Sequence, residues 1–119
     1  SSLVYSTAQD FARFGLLFLR GGNWDGKQII NEDFVNFVRT PSSGKGADHY
    51  GAHWWLSPPN GKGILKKGPF DAFAAQGHEG QIIMVIPSKD MVIVRLGLST
   101  SENHWDAIGE QLQEIVDAL

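Results

Sequence analysis

The sequence predicts an α+β domain, an antiparallel sheet built around a central hairpin with flanking helices. Two observations carry that expectation. Residues 81–86 and 91–98 are nearly all apolar and are joined by Pro87-Ser88-Lys89-Asp90, which reads as a hairpin covered on both faces. Around it stand three segments that begin with helix-capping residues, Thr7, Asn31 and Asn103. The 119 residues are read as a single domain, 1–119, able to bury about 65% of its unfolded surface.

Thr7 followed by Asp10 forms a variant capping box and opens a helix over 8–20. Its Phe11, Phe14, Leu16, Leu17, Phe18 and Leu19 are apolar around much of the girth, which predicts burial on more than one side. Gly21-Gly22 stops it, and Asp25-Gly26 makes a tight turn between Trp24 and Lys27. Asn31 caps a second helix over 32–39, with Pro41 just beyond its end. Residues 40–49 are polar and Gly-rich and read as a loop, as do 58–69. Between them, 50–57 alternates as a strand would, with Trp54 and Trp55 on opposite faces. A last helix follows from about His104, its apolar stripe being Trp105, Ile108, Leu112, Ile115 and Leu119.

Composition narrows the function classes. A net charge of −3 leaves no basic footprint for nucleic acid. The longest apolar runs, 16–19 and 82–86, are too short to span a bilayer as a helix. Without cysteine there is no disulfide, thiol nucleophile or Cys-based zinc site, and the compartment stays open. Ser1 leads straight into Leu3-Val4-Tyr5 with neither an initiator Met nor a basic leader, so a processed product or an excised piece is expected.

Four constellations could carry chemistry. Ser42-Ser43-Gly44-Lys45 matches Ser-x-x-Lys, but that pair needs a helix start to bring Lys within reach of Ser, and here it follows Pro41 in a loop. His49 and His53 have the spacing of zinc ligands on a helix, with His78 and Glu79 as further candidates. In an extended segment they would stand roughly 13 Å apart, so no metal and no cofactor is assigned. Ser101-Glu102-Asn103 matches Ser-x-Asn and reads more simply as a turn into a cap. His78-Glu79-Gly80 lies directly ahead of an apolar strand and is bracketed by Gly77 and Gly80, which allow close approach of a backbone or a ligand. On spacing alone, a histidine satisfied at a strand end and a functional histidine both remain open.

Five segments in order change that balance. They are Tyr5-Ser6-Thr7-Ala8-Gln9-Asp10-Phe11-Ala12-Arg13-Phe14-Gly15, then Gly21-Gly22-Asn23-Trp24-Asp25-Gly26-Lys27, then Tyr50-Gly51 with Trp54-Trp55. Gly77-His78-Glu79-Gly80-Gln81 and Val92-Ile93-Val94-Arg95-Leu96-Gly97 complete the series. The series resembles the C-terminal part of the class C β-lactamase-like serine hydrolases, a family that includes penicillin-binding peptidases, esterases and 6-aminohexanoate-dimer hydrolases.

The resemblance implies a partial β-lactamase-like fold and hydrolysis of esters or amides through an acyl-enzyme. In that family a Lys/His-x-Gly element opens a sheet strand, and His78-Glu79-Gly80 stands in its place. It implies that His78 borders the cleft, Gly80 clears space for substrate, and the backbone N–H of Gln81 is one oxyanion-hole donor. Glu79 then meets the substrate where β-lactamases use Thr or Ser. A carboxylate there repels an anionic drug, which favours esters, neutral amides or peptide-like substrates. Lys66-Lys67-Gly68 also fits Lys-x-Gly, but Pro69 would interrupt strand pairing.

No Tyr-x-Asn and no helix-borne Ser-x-x-Lys is present. The chain is therefore expected to be the last third of such an enzyme, inactive alone, partnered by the upstream part of its own polypeptide and prone to self-association through exposed apolar surface. A periplasmic or extracellular location follows from the resemblance only. The alternative is a non-catalytic binding or interaction module derived from that fold.

Overall fold

A computed structural model describes residues 5–45, 47–97, 99 and 104–119. Helix α1, Ala8–Leu19, starts where Thr7 Oγ1 accepts the Asp10 N–H at 3.1 Å. After the chain turns at Gly21-Gly22, β1 (Asn23–Trp24) and β2 (Lys27–Gln28) form a small antiparallel ribbon around Asp25-Gly26. Helix α2, Glu32–Val38, is capped by Asn31, whose side chain accepts the Asp33 N–H at 2.8 Å. It buries Val35 and Val38.

Four antiparallel strands make the main sheet in the order β3-β4-β5-β6. They are β3 (Trp55–Leu56), β4 (Phe73–Gln76), β5 (Ile82–Ile86) and β6 (Met91–Arg95). Every residue of β5 is buried, as expected for a β-branched run with a helix on each face. On one face α1 packs with Phe18, alongside Trp54, Leu56, Phe73 and Val85. Contact there is close, because a Cβ on Gly15 would lie 2.6 Å from Val92 Cγ1. On the other face α3, His104–Ala118, lays Ile108, Leu112 and Val116 over Ala74, Ile82, Met84 and Ile86.

The α+β class and the antiparallel hairpin match the sequence expectation, and five details correct it. Residues 50–57 are not one strand. The chain reverses at 51–54, where Gly51 N–H donates to Trp54 O at 2.7 Å and His53 takes a left-handed φ of 68°. Tyr50 then pairs with Trp55 itself. Strand β4, absent from the expectation, separates β3 from the hairpin. Strand β6 is an edge of the sheet and only half-buried, so the hairpin is covered on its β5 arm alone. Helix α1 packs by one face, leaving Phe14 44% exposed. In α3 the buried stripe runs 108-112-116, so Ile115 and Leu119 face solvent. The expected strand end at Leu98 and the Asn103 cap lie outside the described residues.

Candidate functional site

The His78-Glu79-Gly80 triplet forms a 3-10 turn joining β4 to β5. Gly77 N–H donates to Gln81 O at 2.8 Å, which extends the register Gln76↔Ile82 by one more pair. Reversal is achieved by two consecutive left-handed residues, Glu79 (φ 58°, ψ 33°) and Gly80 (φ 87°). Position 80 favours glycine, since its φ of 87° strains any L-residue and a Cβ would lie 2.6 Å from Ile108 Cδ1 and 2.9 Å from Arg95 Nη1. The turn is tied down from outside itself. Arg95 Nη1 donates to Gly80 O at 2.7 Å, Arg95 Nη2 donates to Ser99 Oγ at 2.9 Å, and Ser99 N–H donates to Glu79 O at 2.9 Å.

The side chain of His78 is 78% exposed, and its Nε2 stands 3.5 Å from Glu79 Oε1. An exposed contact of that length contributes less than about 1 kcal/mol. Backbone geometry, rather than side-chain bonding, therefore sets where the imidazole sits. The backbone N–H of Gln81 donates to His78 O at 3.5 Å, so it is directed into the turn. Its use as an oxyanion donor would first require breaking that long bond.

Ladder alternation identifies a different outward-facing amide. Because Gly77 bonds toward β5, the N–H and C=O of Gln76 must point the opposite way, to the β3 side. There β3 pairs only Trp55↔Ala74 and Leu56↔Phe73, and His53 has already turned away. Sequence reasoning missed Gln76 because it missed β4. A usable signal existed: β5 is fully apolar and needs a pairing partner on each side, while the hairpin supplies only one.

Gln76 also lines a groove of about 1000 Å³, together with His49, Trp55, Ile64, Trp105 and Glu110. His78, Glu79 and Gly80 are not in that lining, so the groove reaches β4 at Gln76 and does not include the turn beyond it. Asp48 braces the groove's rim, taking a hydrogen bond from Asn60 and lying 3.5 Å from Lys62 Nζ and 3.6 Å from His49 Nδ1. Desolvation pulls the Asp48 carboxyl upward, but the nearby His49 imidazole, the Lys62 charge and the Asn60 hydrogen bond outweigh it and hold it below its ordinary value.

The other candidates are dispersed. Ser42 and Lys45 are exposed in a non-helical loop. His49 lies against Trp55 with ring centroids 5.6 Å apart, and His53 is exposed beyond a turn, so the segment between them is not extended as supposed. Among the described residues no three His, Cys, Asp or Glu side chains are grouped to hold a metal ion. Lys66 and Lys67 are exposed, and the loop after them is held to α3 by Gln113, which accepts the Lys67 N–H and donates to Gly68 O. Ser101-Glu102-Asn103 lies outside the described residues.

No family model matches the sequence, and no curated protein matches it. Among solved structures, the chain is similar to one described as a "putative 6-aminohexanoate-dimer hydrolase" from Bacillus anthracis. The TM-score is 0.66 and the identity 26%, over 96% of this chain and 30% of that one. The fold thus matches part of a β-lactamase-like fold, and the chain spans about 30% of the length of that structure.

Proposed function

We propose that this chain is the C-terminal portion of a β-lactamase-like serine hydrolase and supplies one wall of its cleft. The reaction is hydrolysis of an ester or amide through an acyl-enzyme, with the nucleophile carried by sequence upstream of Ser1. One observation carries the reading: 96% of the chain superposes on part of a hydrolase-described structure. The end of β4 and the His78 turn then form a rigid, partly open strand end.

On this wall His78 borders the cleft and Gly80 leaves the turn free of side-chain bulk. Glu79 lies beside the imidazole and disfavours anionic substrates by charge repulsion. An amide fixed on a sheet needs no reorganisation as a tetrahedral oxyanion forms, and one such donor contributes about 3 kcal/mol to lowering the barrier. Gln81 N–H fills that role if its 3.5 Å bond to His78 O opens. The outward-facing Gln76 amide is the competing donor. Exposed Phe14, Phe34 and Phe37 would pack against the upstream part of the polypeptide, or against a second copy when that part is missing.

The test is the extended reading frame. A helix-borne Ser-x-x-Lys upstream, with nitrophenyl-ester hydrolysis that His78→Ala lowers at least tenfold, is the expected result. A frame that truly starts at Ser1, or an extended protein inert toward esters and amides, defeats the proposal. Robust nitrocefin turnover would defeat the argument from Glu79 alone.

A further inference from the structure

The His78 turn is unusual in what holds it. Glu79 occupies a left-handed conformation that costs an L-residue about 1–2 kcal/mol, and the turn's own bonds, Gly77 N–H to Gln81 O and the long Gln81 N–H to His78 O, leave the carbonyls of Glu79 and Gly80 to outside partners. What stabilises it is a fork from β6. The Arg95 guanidinium spans from Gly80 O at 2.7 Å to Ser99 Oγ at 2.9 Å, and Ser99 in turn donates its N–H to Glu79 O. Both carbonyls of the left-handed pair are thus engaged by one connected unit. Arg95 sits on the strand that pairs directly with β5, opposite Ile82, so the fork is anchored to the sheet.

The bond to Gly80 O has an electronic side as well. Gly80 C=O and Gln81 N–H belong to the same peptide group. A charge-assisted hydrogen bond at the carbonyl polarises that group and makes its N–H a stronger donor. The imidazole of His78, 78% exposed, has no comparable support of its own.

We infer that Arg95 is a positioning residue for the cleft wall: its fork fixes the turn that presents His78 and polarises the Gly80–Gln81 peptide. The inference rests on the hydrolase reading above. Arg95 is engaged with Gly80 O and Ser99 Oγ and acts through the turn, so its loss should act on turnover more than on substrate affinity. A wall displaced by about 1 Å costs about 100-fold in rate. Lysine can reach one acceptor as a point charge but cannot reproduce the planar two-arm fork.

The experiment uses the complete polypeptide and a nitrophenyl ester, comparing the parent with Arg95→Met, Arg95→Lys and Arg95→Ala. For Arg95→Met the expected kcat is down by about 100-fold with KM changed less than about threefold. Arg95→Lys should fall between, about tenfold below the parent, and millimolar guanidinium should restore part of the Arg95→Ala rate. Equal kcat in parent and Arg95→Lys refutes the fork. Losses that follow only the folded fraction, with no guanidinium rescue, make Arg95 merely structural and also refute it. If Arg95→Met does not fold, Arg95→Lys alone decides by its kcat-against-KM split. A parent without hydrolytic activity removes the hydrolase reading itself, and this inference falls with it; an active parent with indifferent variants removes the inference alone.

Discussion

Replacing Gly80 by alanine separates two costs that the turn imposes. The backbone there has φ 87°, where an L-residue loses about 1–2 kcal/mol. The new methyl would also stand 2.6 Å from Ile108 Cδ1, inside a packed helix contact, and overpacking of that kind costs about 1–3 kcal/mol. The sum is about 2–5 kcal/mol, a large share of a typical domain's stability. Gly26 provides the reference: its φ is 78°, yet a Cβ there meets nothing within 4 Å. Gly26→Ala should therefore lose only the backbone share, about 1–2 kcal/mol. Urea unfolding monitored by tryptophan fluorescence reads both. Adding Ile108→Val removes the obstructing methyl, so the double variant should be more stable than the two single losses predict, by about 1 kcal/mol. If Gly80→Ala and Gly26→Ala shift the midpoint equally, Ile108 does not confine the turn and the geometry argued here is wrong.

Three further outcomes are expected. Thr7→Ala removes the oxygen that accepts the Asp10 N–H and should lower stability by about 1 kcal/mol in the same urea assay. Met84→Ala, at a position with no exposure, should cost about 2–5 kcal/mol. Ile115→Ala, at 43% exposure, should cost far less, which would confirm that the stripe of α3 runs through Val116 instead. Asp48 has a folded-state pKa below its ordinary value, so its contribution is fully present above that ordinary value and disappears as pH falls through the folded one. Acid titration should loosen the groove rim in that window, reported by fluorescence of Trp55 beside His49, and Asp48→Asn should abolish the acid transition.

Local signals were legible where the residue itself dictates geometry. Thr7 and Asn31 cap their helices as their side chains require, and Asp25-Gly26 turns where two left-handed residues are needed. The β5 arm was legible because five apolar residues in a row have no other stable place than a covered strand. Residues 50–57 failed for the opposite reason. Their polar-apolar alternation mimics a strand, while His53 takes a left-handed φ of 68° that reverses the chain, with Trp54 beside it packed against Phe18 and Phe73. The surroundings of the candidate triplet were half legible. The triplet His78-Glu79-Gly80 stood out by its glycines, but Arg95 reaches Gly80 from 15 residues away and Ser99 reaches Glu79 from 20, and no local pattern announces them.

The hidden strand explains why this wall could serve a cleft at all. Strand β4 is Phe73-Ala74-Ala75-Gln76, and alanine is depleted in strands because it offers little side chain to pack across a sheet. That scarcity made the strand invisible to pattern reading. The backbone of β4's far end is also uncovered: Phe73 anchors the strand against Trp54 with ring centroids 5.0 Å apart, while Ala75 and Gln76 continue past the end of β3. A strand of large β-branched residues would have been easy to recognise. The edge is open because β3 pairs no further than Trp55↔Ala74, the buried run of β5 backs it, and Arg95 holds the turn beyond it. Ala75 packs into the core beneath α1, on the face of β4 opposite the Gln76 side chain. Ala75→Ile should therefore overpack that contact and cost about 1–3 kcal/mol in urea unfolding; an unchanged midpoint would show that the α1 face is not close-packed there.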